Sequence, residues 1–176
     1  PDEVGRSFMF VVNGRPVFAM GANWIPEDAL AGNTSASGLR GLLKSARDAN
    51  MNRLRVWGGG WYESDLLYDL CDEMGILVWQ DAMFSCSLYP ADDAFLAEVG
   101  AEVRDNVSRL QYHACLALWC GDNELIGALT WYEESVRDRD RYLVAYDRLN
   151  RVIEAAVKEV DAQANWWPSS PSPGPL

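Results

Sequence analysis

The stretch Leu116–Glu124 reads Leu-Ala-Leu-Trp-Cys-Gly-Asp-Asn-Glu, and it decides how the rest of the chain is interpreted. A short apolar run ends abruptly at the polar pair Asn123-Glu124. A buried strand that ends in an amide and a carboxylic acid is typical of a site, because barrels and open parallel sheets present their chemistry at strand ends. The alternative is that the pair begins the next helix, since polar residues are common at helix starts.

The segments around this stretch alternate between strand and helix patterns. Strands are predicted at Met20–Trp24, Arg53–Trp57, Ile76–Asp81, Leu116–Cys120 and around Trp166-Trp167. Apolar residues at helical spacing lie between them, in Leu39–Ala46, Leu67–Met74, Phe95–Leu110 and Tyr146–Val160. This alternation predicts an α/β fold with a parallel sheet built from right-handed crossovers.

Each predicted strand ends on polar or aromatic residues. These ends are Asn23-Trp24, Trp57, Asp81, Asn123-Glu124 and Trp167. In a barrel, all of these ends lie on one face, which is where the active site is found. Their agreement favours the interpretation of Glu124 as a site residue over its interpretation as a helix cap.

The N-terminal part is predicted to form a hairpin. Phe8–Val12 and Arg15–Ala19 flank Asn13-Gly14, and Asn-Gly is the strongest signal for a two-residue turn. The second arm is predicted to continue as one buried strand through Trp24. The chain is accordingly divided into a hairpin at 1–17, strand–helix units at 18–168 and a Ser/Pro tail at 169–176.

Composition excludes several classes of protein. Hydrophobic residues make up 49% of the 176, so the chain is globular, but it is short for a closed α/β barrel of about 250 residues. The net charge of −11 opposes binding to nucleic acid or to anionic membranes. The sequence has neither an apolar run of membrane-spanning length nor a signal peptide, which predicts a soluble segment and leaves its compartment open.

Cofactor and metal sites are not expected. The four cysteines lack CxxC spacing, so free buried thiols are favoured over disulfides, and a zinc site ranks last. His113 is the single histidine, which weakens both a metal site and a Ser-His-Asp triad. The run Gly58–Gly60 lacks the third glycine of a dinucleotide-binding loop, because position 63 is Glu63.

Four motifs together resemble the catalytic barrel of β-mannosidases in glycoside hydrolase family 2. They are Gly21-Ala22-Asn23-Trp24-Ile25-Pro26, Arg55-Val56-Trp57-Gly58-Gly59-Gly60, Val78-Trp79-Gln80-Asp81 and Trp119-Cys120-Gly121-Asp122-Asn123-Glu124. The likeness keeps its order over nearly the whole chain. It implies a partial (β/α)8 TIM barrel, about its first five βα units, preceded by a short hairpin.

The resemblance also implies residue roles. Glu124 takes the place of the general acid/base, Asn123 that of the asparagine on the sugar 2-hydroxyl, and Trp57 that of the aromatic residue lining the mannose pocket. Further substrate-binding residues are expected at Asn23, Trp24, Asp81, Trp131 and Tyr132. The chemistry agrees, because a hydrogen bond to the 2-hydroxyl strengthens in an oxocarbenium-like transition state and aromatic faces pack on sugar rings.

The chain departs from the family pattern at two places. The family more often has Asn-Asn-Glu where this chain has Asp122-Asn123-Glu124, and Tyr-Trp where this chain has Trp131-Tyr132. A carboxylate at Asp122 would raise the pKa of the neighbouring acid if it faced the site and would have no effect if it faced solvent.

The resemblance places the family's nucleophilic glutamate on a later strand, past residue 176. The activity implied is retaining, exo-acting hydrolysis of terminal non-reducing β-D-mannosides, with an oligosaccharide or glycoside as the substrate. The segment alone is expected to be inactive, and its open sheet edge favours self-association. Two alternatives stay open. The first is another family 2 glycosidase, such as a β-galactosidase or exo-β-glucosaminidase. The second is a sugar-binding module without catalysis, which the eight tryptophans favour.

Overall fold

A computed structural model describes residues 8–30 and 32–172. The strands are β1 Phe10–Val12, β2 Arg15–Val17, β3 Gly21–Trp24, β4 Arg53–Val56, β5 Leu77–Asp81, β6 Leu116–Cys120 and β7 Trp166–Trp167. The helices are α1 Ala36–Asp48, α2 Asp65–Met74, α3 Asp93–Leu110, α4 Leu125–Ala128, α5 Glu133–Arg137 and α6 Arg139–Val160.

Five of the strands form one parallel sheet in the order β3-β4-β5-β6-β7, which is also their order along the chain. The predicted α/β fold with a parallel sheet is confirmed. A separate antiparallel pair, β1 and β2, turns at Asn13-Gly14, where both residues have positive φ. Among the described residues, no helix combines the length and the apolar composition needed to cross a membrane.

Helix boundaries follow local hydrogen bonding. The Ser35 side chain accepts from the N–H of Gly38 at the start of α1, and the Asp92 side chain accepts from the N–H of Phe95 at the start of α3. The helix α2 ends at Gly75, whose φ of 70° is the left-handed conformation that glycine adopts without strain. The helical stretch predicted at Leu67–Met74 thus ends at the same residue as α2.

The two faces of the sheet are packed differently. The outer face contacts the helices and carries the main core, which includes Leu54, Val56 and Trp119. The inner face carries a smaller cluster of Trp79, Leu118, Cys120 and the partly buried Phe10 and Trp167. Alternation along β4 therefore places Arg55 on the inner face, opposite Leu54 and Val56.

The sequence prediction is wrong at the join between the hairpin and the sheet. The second arm was predicted to run as one buried strand through Trp24, whereas β2 ends at Val17 and β3 begins in a different sheet at Gly21. Within the described sheet β3 is an edge strand, so its first three residues are exposed and Trp24 alone is buried. Residues 1–7 of the predicted hairpin and 173–176 of the predicted tail lie outside the described residues.

Candidate active site

The carboxyl ends of β4 and β5 hold a buried ion pair. Arg55 donates from Nη2 to Oδ2 of Asp81 over 2.6 Å and from Nε to Oδ1 over 3.2 Å. Asp81 is fully buried and also accepts from the N–H of Gly58 and from Nε1 of Trp79. Burial raises the pKa of Asp81, and Arg55 with the two N–H donors offsets part of that rise.

Arg55 extends this network to the strands on both sides. Its Nη2 donates to Oδ1 of Asn123 over 2.8 Å, and its Nη1 donates to Oδ1 of Asn23 over 3.3 Å. A guanidinium can only donate, so the amide oxygen of Asn123 must face it. The amide nitrogen of Asn123 therefore points the other way, towards Oγ of Ser85 at 3.2 Å and Sγ of Cys86 at 3.3 Å.

Glu124 lies directly after Asn123 in a strained backbone conformation. Its φ of 63° and ψ of 18° are left-handed, and for a residue with a Cβ this costs on the order of 1–2 kcal/mol. Its carboxylate Oε2 lies 3.4 Å from Sγ of Cys86, and its N–H donates to the carbonyl of Ser170. Such strain at a non-glycine residue is characteristic of functional sites.

The alternative interpretation, that the pair begins the next helix, holds for position alone. Glu124 occupies the N-cap position of α4, but its side chain does not cap the helix, and the N–H of Leu125 is accepted instead by Oδ1 of Asp122 over 3.1 Å. Asp122 is buried on the side of α6, where it also accepts from Oγ of Ser169 and from Nδ2 of Asn150. It faces neither the site nor solvent.

Within residues 8–30 and 32–172, no ion pair offsets the burial of Asp122. Burial is the main reason that the pKa of Asp122 rises to about 6, and the donors Ser169 and Leu125 N–H offset part of that rise. The negative charge of Asp81 adds to the rise.

Trp57 lines a cleft beside the Asn123 network. The ring of Trp57 lies against the backbone of Gly59, where an added Cβ would come within 2.0 Å of a ring carbon. The cleft has a volume of about 420 Å³ and is lined by Trp57, Gly58, Gly59, Gly60, Met83, Ser85, Cys86 and Tyr89. The Trp57 ring, the glycine run after β4 and the loop after β5 thus border one opening.

The remaining predicted site residues lie at different distances from this network. Tyr132 donates from its hydroxyl to the carbonyl of Cys86 over 2.7 Å, so it contacts the loop after β5. Trp131 is half exposed and lies against Gly127 of α4. Trp24 is buried, and its Nε1 donates to Oε1 of Glu63 over 3.0 Å. The structure therefore brings Asn23, Asp81, Asn123 and Glu124 together more closely than it does Trp24 or Trp131.

Sequence reasoning missed three residues of this network: Arg55, Ser85 and Cys86. Arg55 could have been found, because an inward-facing arginine one strand away from an inward-facing Asp81 must pair with it when both are buried. The loop containing Ser85 and Cys86 has no periodicity from which their orientation follows.

One group among the described residues has the composition of a metal site. Asp72, His113 and Cys115 bring their ligand atoms within 4.8 Å of one another. Both oxygens of Asp72 are already used, by Nδ1 of His113 at 2.7 Å and by the N–H of Cys115 at 2.6 Å. Burial and the adjacent Asp72 raise the pKa of the Cys115 thiol, which opposes the thiolate form that a metal needs. These contacts are structural hydrogen bonds that connect α2 to the start of β6.

Two of three comparisons with known proteins found relatives of this chain. No protein-family model matches the chain. The β-mannosidase of Bos taurus is 45% identical over 173 residues, which is 97% of this chain and 20% of that protein. β-Mannosidase A of Aspergillus clavatus is 40% identical over 98% of this chain and 19% of its own length.

The chain is similar to β-mannosidases over nearly its whole length. A solved structure shows the same similarity, since the β-D-mannosidase from Dictyoglomus thermophilum superposes with a TM-score of 0.84 at 42% identity, covering 97% of this chain and 21% of that one. The exo-chitosanase of Amycolatopsis orientalis superposes with a TM-score of 0.69 at 16% identity, which shows a shared fold alone. This chain spans about a fifth of the length of the β-mannosidases it matches.

Proposed function

We propose that this chain is part of the catalytic domain of a retaining, exo-acting β-mannosidase that hydrolyses terminal non-reducing β-D-mannosides. The observation that carries the proposal is the position of Asn123 and Glu124. Both lie at the carboxyl edge of the parallel sheet, where Arg55 and Cys86 contact them beside the cleft of Trp57. The similarity to β-mannosidases over 97% of the chain supports the choice of sugar.

We infer that the five-stranded sheet is the first part of an eight-stranded barrel. The strand order never reverses along the described sheet, and right-handed crossovers in an unreversed order put every helix on one face. A doubly wound sheet requires a reversal. In the closed barrel, the edge strand β3 and the short β7 would gain neighbours.

In the proposed reaction, Glu124 protonates the glycosidic oxygen as the leaving group departs. Asn123 donates from its amide nitrogen to the sugar 2-hydroxyl in place of its contact with Ser85 or Cys86, since its oxygen is held by Arg55. Asp81 keeps Arg55 in place, and the face of Trp57 packs against the sugar ring.

Retention needs a second carboxylate about 5 Å from the first, to attack the anomeric carbon. The buried carboxylates of the described residues are Glu63, Asp81 and Asp122. Each is already hydrogen-bonded, to Trp24, to Arg55 and to Ser169 respectively. We therefore propose that the nucleophile is supplied from beyond residue 176.

The decisive experiment compares two leaving groups in the full-length protein. Glu124→Gln removes the proton donor while keeping the shape, so kcat/KM on an alkyl or disaccharide β-mannoside should fall by about 10²–10⁴-fold. A dinitrophenyl β-mannoside needs little protonation, and its first step should fall far less. Equal losses on both substrates would exclude Glu124 as the acid.

A substrate panel separates the alternatives. Aryl β-mannoside should be hydrolysed in preference to aryl β-galactoside and aryl β-glucosaminide. A reversed preference would assign the same framework to another glycosidase. Sugar binding measured by calorimetry without any turnover would instead favour a non-catalytic module.

The segment 1–176 expressed alone is expected to hydrolyse no glycoside, because the second carboxylate would be missing. Its uncovered sheet edge should also drive self-association, which sedimentation velocity would detect. Turnover by the purified segment that disappears in Glu124→Gln would place both carboxylates within these residues.

A further inference from the structure

Cys86 occupies a strained position that several contacts maintain. It lies in the loop between β5 and α3, and its φ of 51° is left-handed. Its N–H donates to the carbonyl of Asn123 over 3.0 Å, and its own carbonyl accepts from the Tyr132 hydroxyl over 2.7 Å. A backbone conformation this unfavourable persists only where the surroundings hold it in place.

This backbone places the sulfur between the two residues that the proposed reaction uses most directly. Sγ lies 3.4 Å from Oε2 of Glu124 and 3.3 Å from Nδ2 of Asn123. A third neighbour, Oγ of Ser85, lies 3.3 Å away. A thiol can donate its S–H to a carboxylate while its sulfur accepts from an amide, so one side chain satisfies both contacts.

We propose that Cys86 is a positioning residue that sets the orientation of the Glu124 carboxyl group and of the Asn123 amide. The proposal rests on the proposed function. A thiol is a weak donor, so it orients the carboxyl group while the site is empty and releases it when the glycosidic oxygen arrives. Alanine at this position would leave the carboxyl group and the amide without that contact.

The same geometry makes Cys86 the cysteine of this segment that reagents can reach. Cys71, Cys115 and Cys120 are buried, and burial raises the pKa of each of their thiols, that of Cys71 to about 12. Cys86 is partly exposed and lines the Trp57 cleft. Alkylation by iodoacetamide forms a C–S bond at Sγ and releases iodide and a proton, which puts an amide group beside Glu124.

The first test uses Cys86→Ala and Cys86→Ser in the full-length protein, with Cys115→Ala as a matched control at the opposite end of β6. Misplacing a general acid forfeits part of its contribution, so Cys86→Ala should lower kcat on a poor-leaving-group β-mannoside by about 10-fold. On a dinitrophenyl β-mannoside the loss should stay within about 2-fold, since protonation matters little there.

Serine keeps a donor and should restore kcat to within about 3-fold of the wild type. The control should leave the ratio of the two rates unchanged.

The second test maps alkylation by mass spectrometry. Cys86 should be modified first among the four cysteines of this segment, activity should fall in parallel, and a competitive mannose-like inhibitor should slow both. Equal kcat losses on both substrates, the absence of rescue by serine, or modification without loss of activity would each overturn the positioning role.

The two proposals fail in distinguishable ways. If the wild type hydrolyses β-mannosides and Glu124→Gln shows the leaving-group pattern, an unaffected Cys86→Ala refutes the role of Cys86 alone. If the wild type hydrolyses no glycoside, both proposals fall together.

Discussion

Asp81 and Asp122 are two buried carboxylates at the carboxyl ends of the neighbouring strands β5 and β6, yet they face opposite sides of the sheet. Asp81 faces inward, where it pairs with Arg55 and accepts from two N–H groups. Asp122 faces α6, where its partners Ser169, Leu125 and Asn150 are all neutral. The two side chains are almost equally inaccessible, at 0% and 1% exposure, so what separates them is the charge of their surroundings.

The buried carboxylate has a different structural role on each face of the sheet. On the inner face, the Arg55 guanidinium donates hydrogen bonds to both Asp81 and Asn123 and so holds the two side chains in place. The outer face uses Asp122 as a junction between the start of α4, the helix α6 and the loop after β7. Removing the charge should therefore affect activity on the inner face and pH-dependent stability on the outer face.

The largest effect is expected for Asp81→Asn. It leaves Arg55 buried without its counter-ion, and breaking one partner of a buried pair typically costs about 3–5 kcal/mol. Because Arg55 also orients Asn123, β-mannoside turnover should fall together with stability. Hydrogen exchange at the Gly58 amide, which donates to Asp81, gives a local measure of the damage.

A double variant sharpens this prediction. Arg55→Met combined with Asp81→Asn removes the unpaired cation, so stability should recover relative to Asp81→Asn while activity does not. Unchanged exchange at Gly58 in the single variant would show that the ion pair does not support this strand end.

A smaller effect, with a different signature, is expected for Asp122→Asn. The pKa of Asp122 is raised to about 6 in the folded state, chiefly by burial, so the folded protein holds this proton more tightly than the unfolded chain does. The stabilisation is complete below the ordinary carboxyl pKa near 4 and is lost as the pH rises through about 6. At about 1.4 kcal/mol per pKa unit, the stability lost between those values is about 3 kcal/mol.

Asparagine cannot ionise, so Asp122→Asn should flatten the decline in stability between pH 4 and pH 6. It loses the hydrogen bond from Asn150, since its own amide nitrogen would face that donor. Denaturant titrations at pH 4.5, 5.5 and 6.5 measure the slope, and β-mannoside turnover should stay within about 3-fold because Asp122 does not contact the proposed site. An unchanged slope would assign the pH dependence to another group.

These expectations define what the sequence could and could not predict. Period-two alternation accounts for the place of Arg55 on the inner face, and a glycine in the left-handed conformation accounts for the end of α2, because both depend on regular local geometry. Alternation fails after Cys120, where the strand ends and the chain turns: continued, it would have put Asp122 inside and Asn123 outside. The structure has the reverse, since Asn123 bridges to Ser85 and Ser170 and Glu124 adopts positive φ.

Other features depend on tertiary contacts that no short pattern encodes. The break between β2 and β3 arises because the two strands pair in different sheets, although their residues read as one continuous arm. The approach of Cys86 to Glu124 joins positions 38 residues apart through a loop without periodicity. The motifs still identified Asn123 and Glu124 as candidates, because their type and their place after a strand are visible locally.

The smallest effect is expected for Asp72→Asn. The stability contributed by Asp72 depends on pH in the opposite sense to that of Asp122, because the pKa of Asp72 is lowered and not raised. Asp72 joins α2 to the segment before β6 through His113 and the N–H of Cys115, at the edge of the sheet opposite Glu124. Burial acts to raise its pKa, but the hydrogen bonds from His113 and Cys115 outweigh burial, and the pKa is lowered. Its stabilisation is therefore present above the ordinary carboxyl pKa near 4 and is lost as the pH falls below it.

Since the side chain is 30% exposed, solvent screens these contacts, and Asp72→Asn should cost about 1 kcal/mol at pH 7. Denaturant titrations at pH 3.5 and pH 7 should show a difference from the wild type that shrinks on acidification, whereas for Asp122→Asn the difference should change between pH 4 and pH 6. A difference that stays constant down to pH 3.5 would mean that the Asp72 contacts act through shape alone and not through charge.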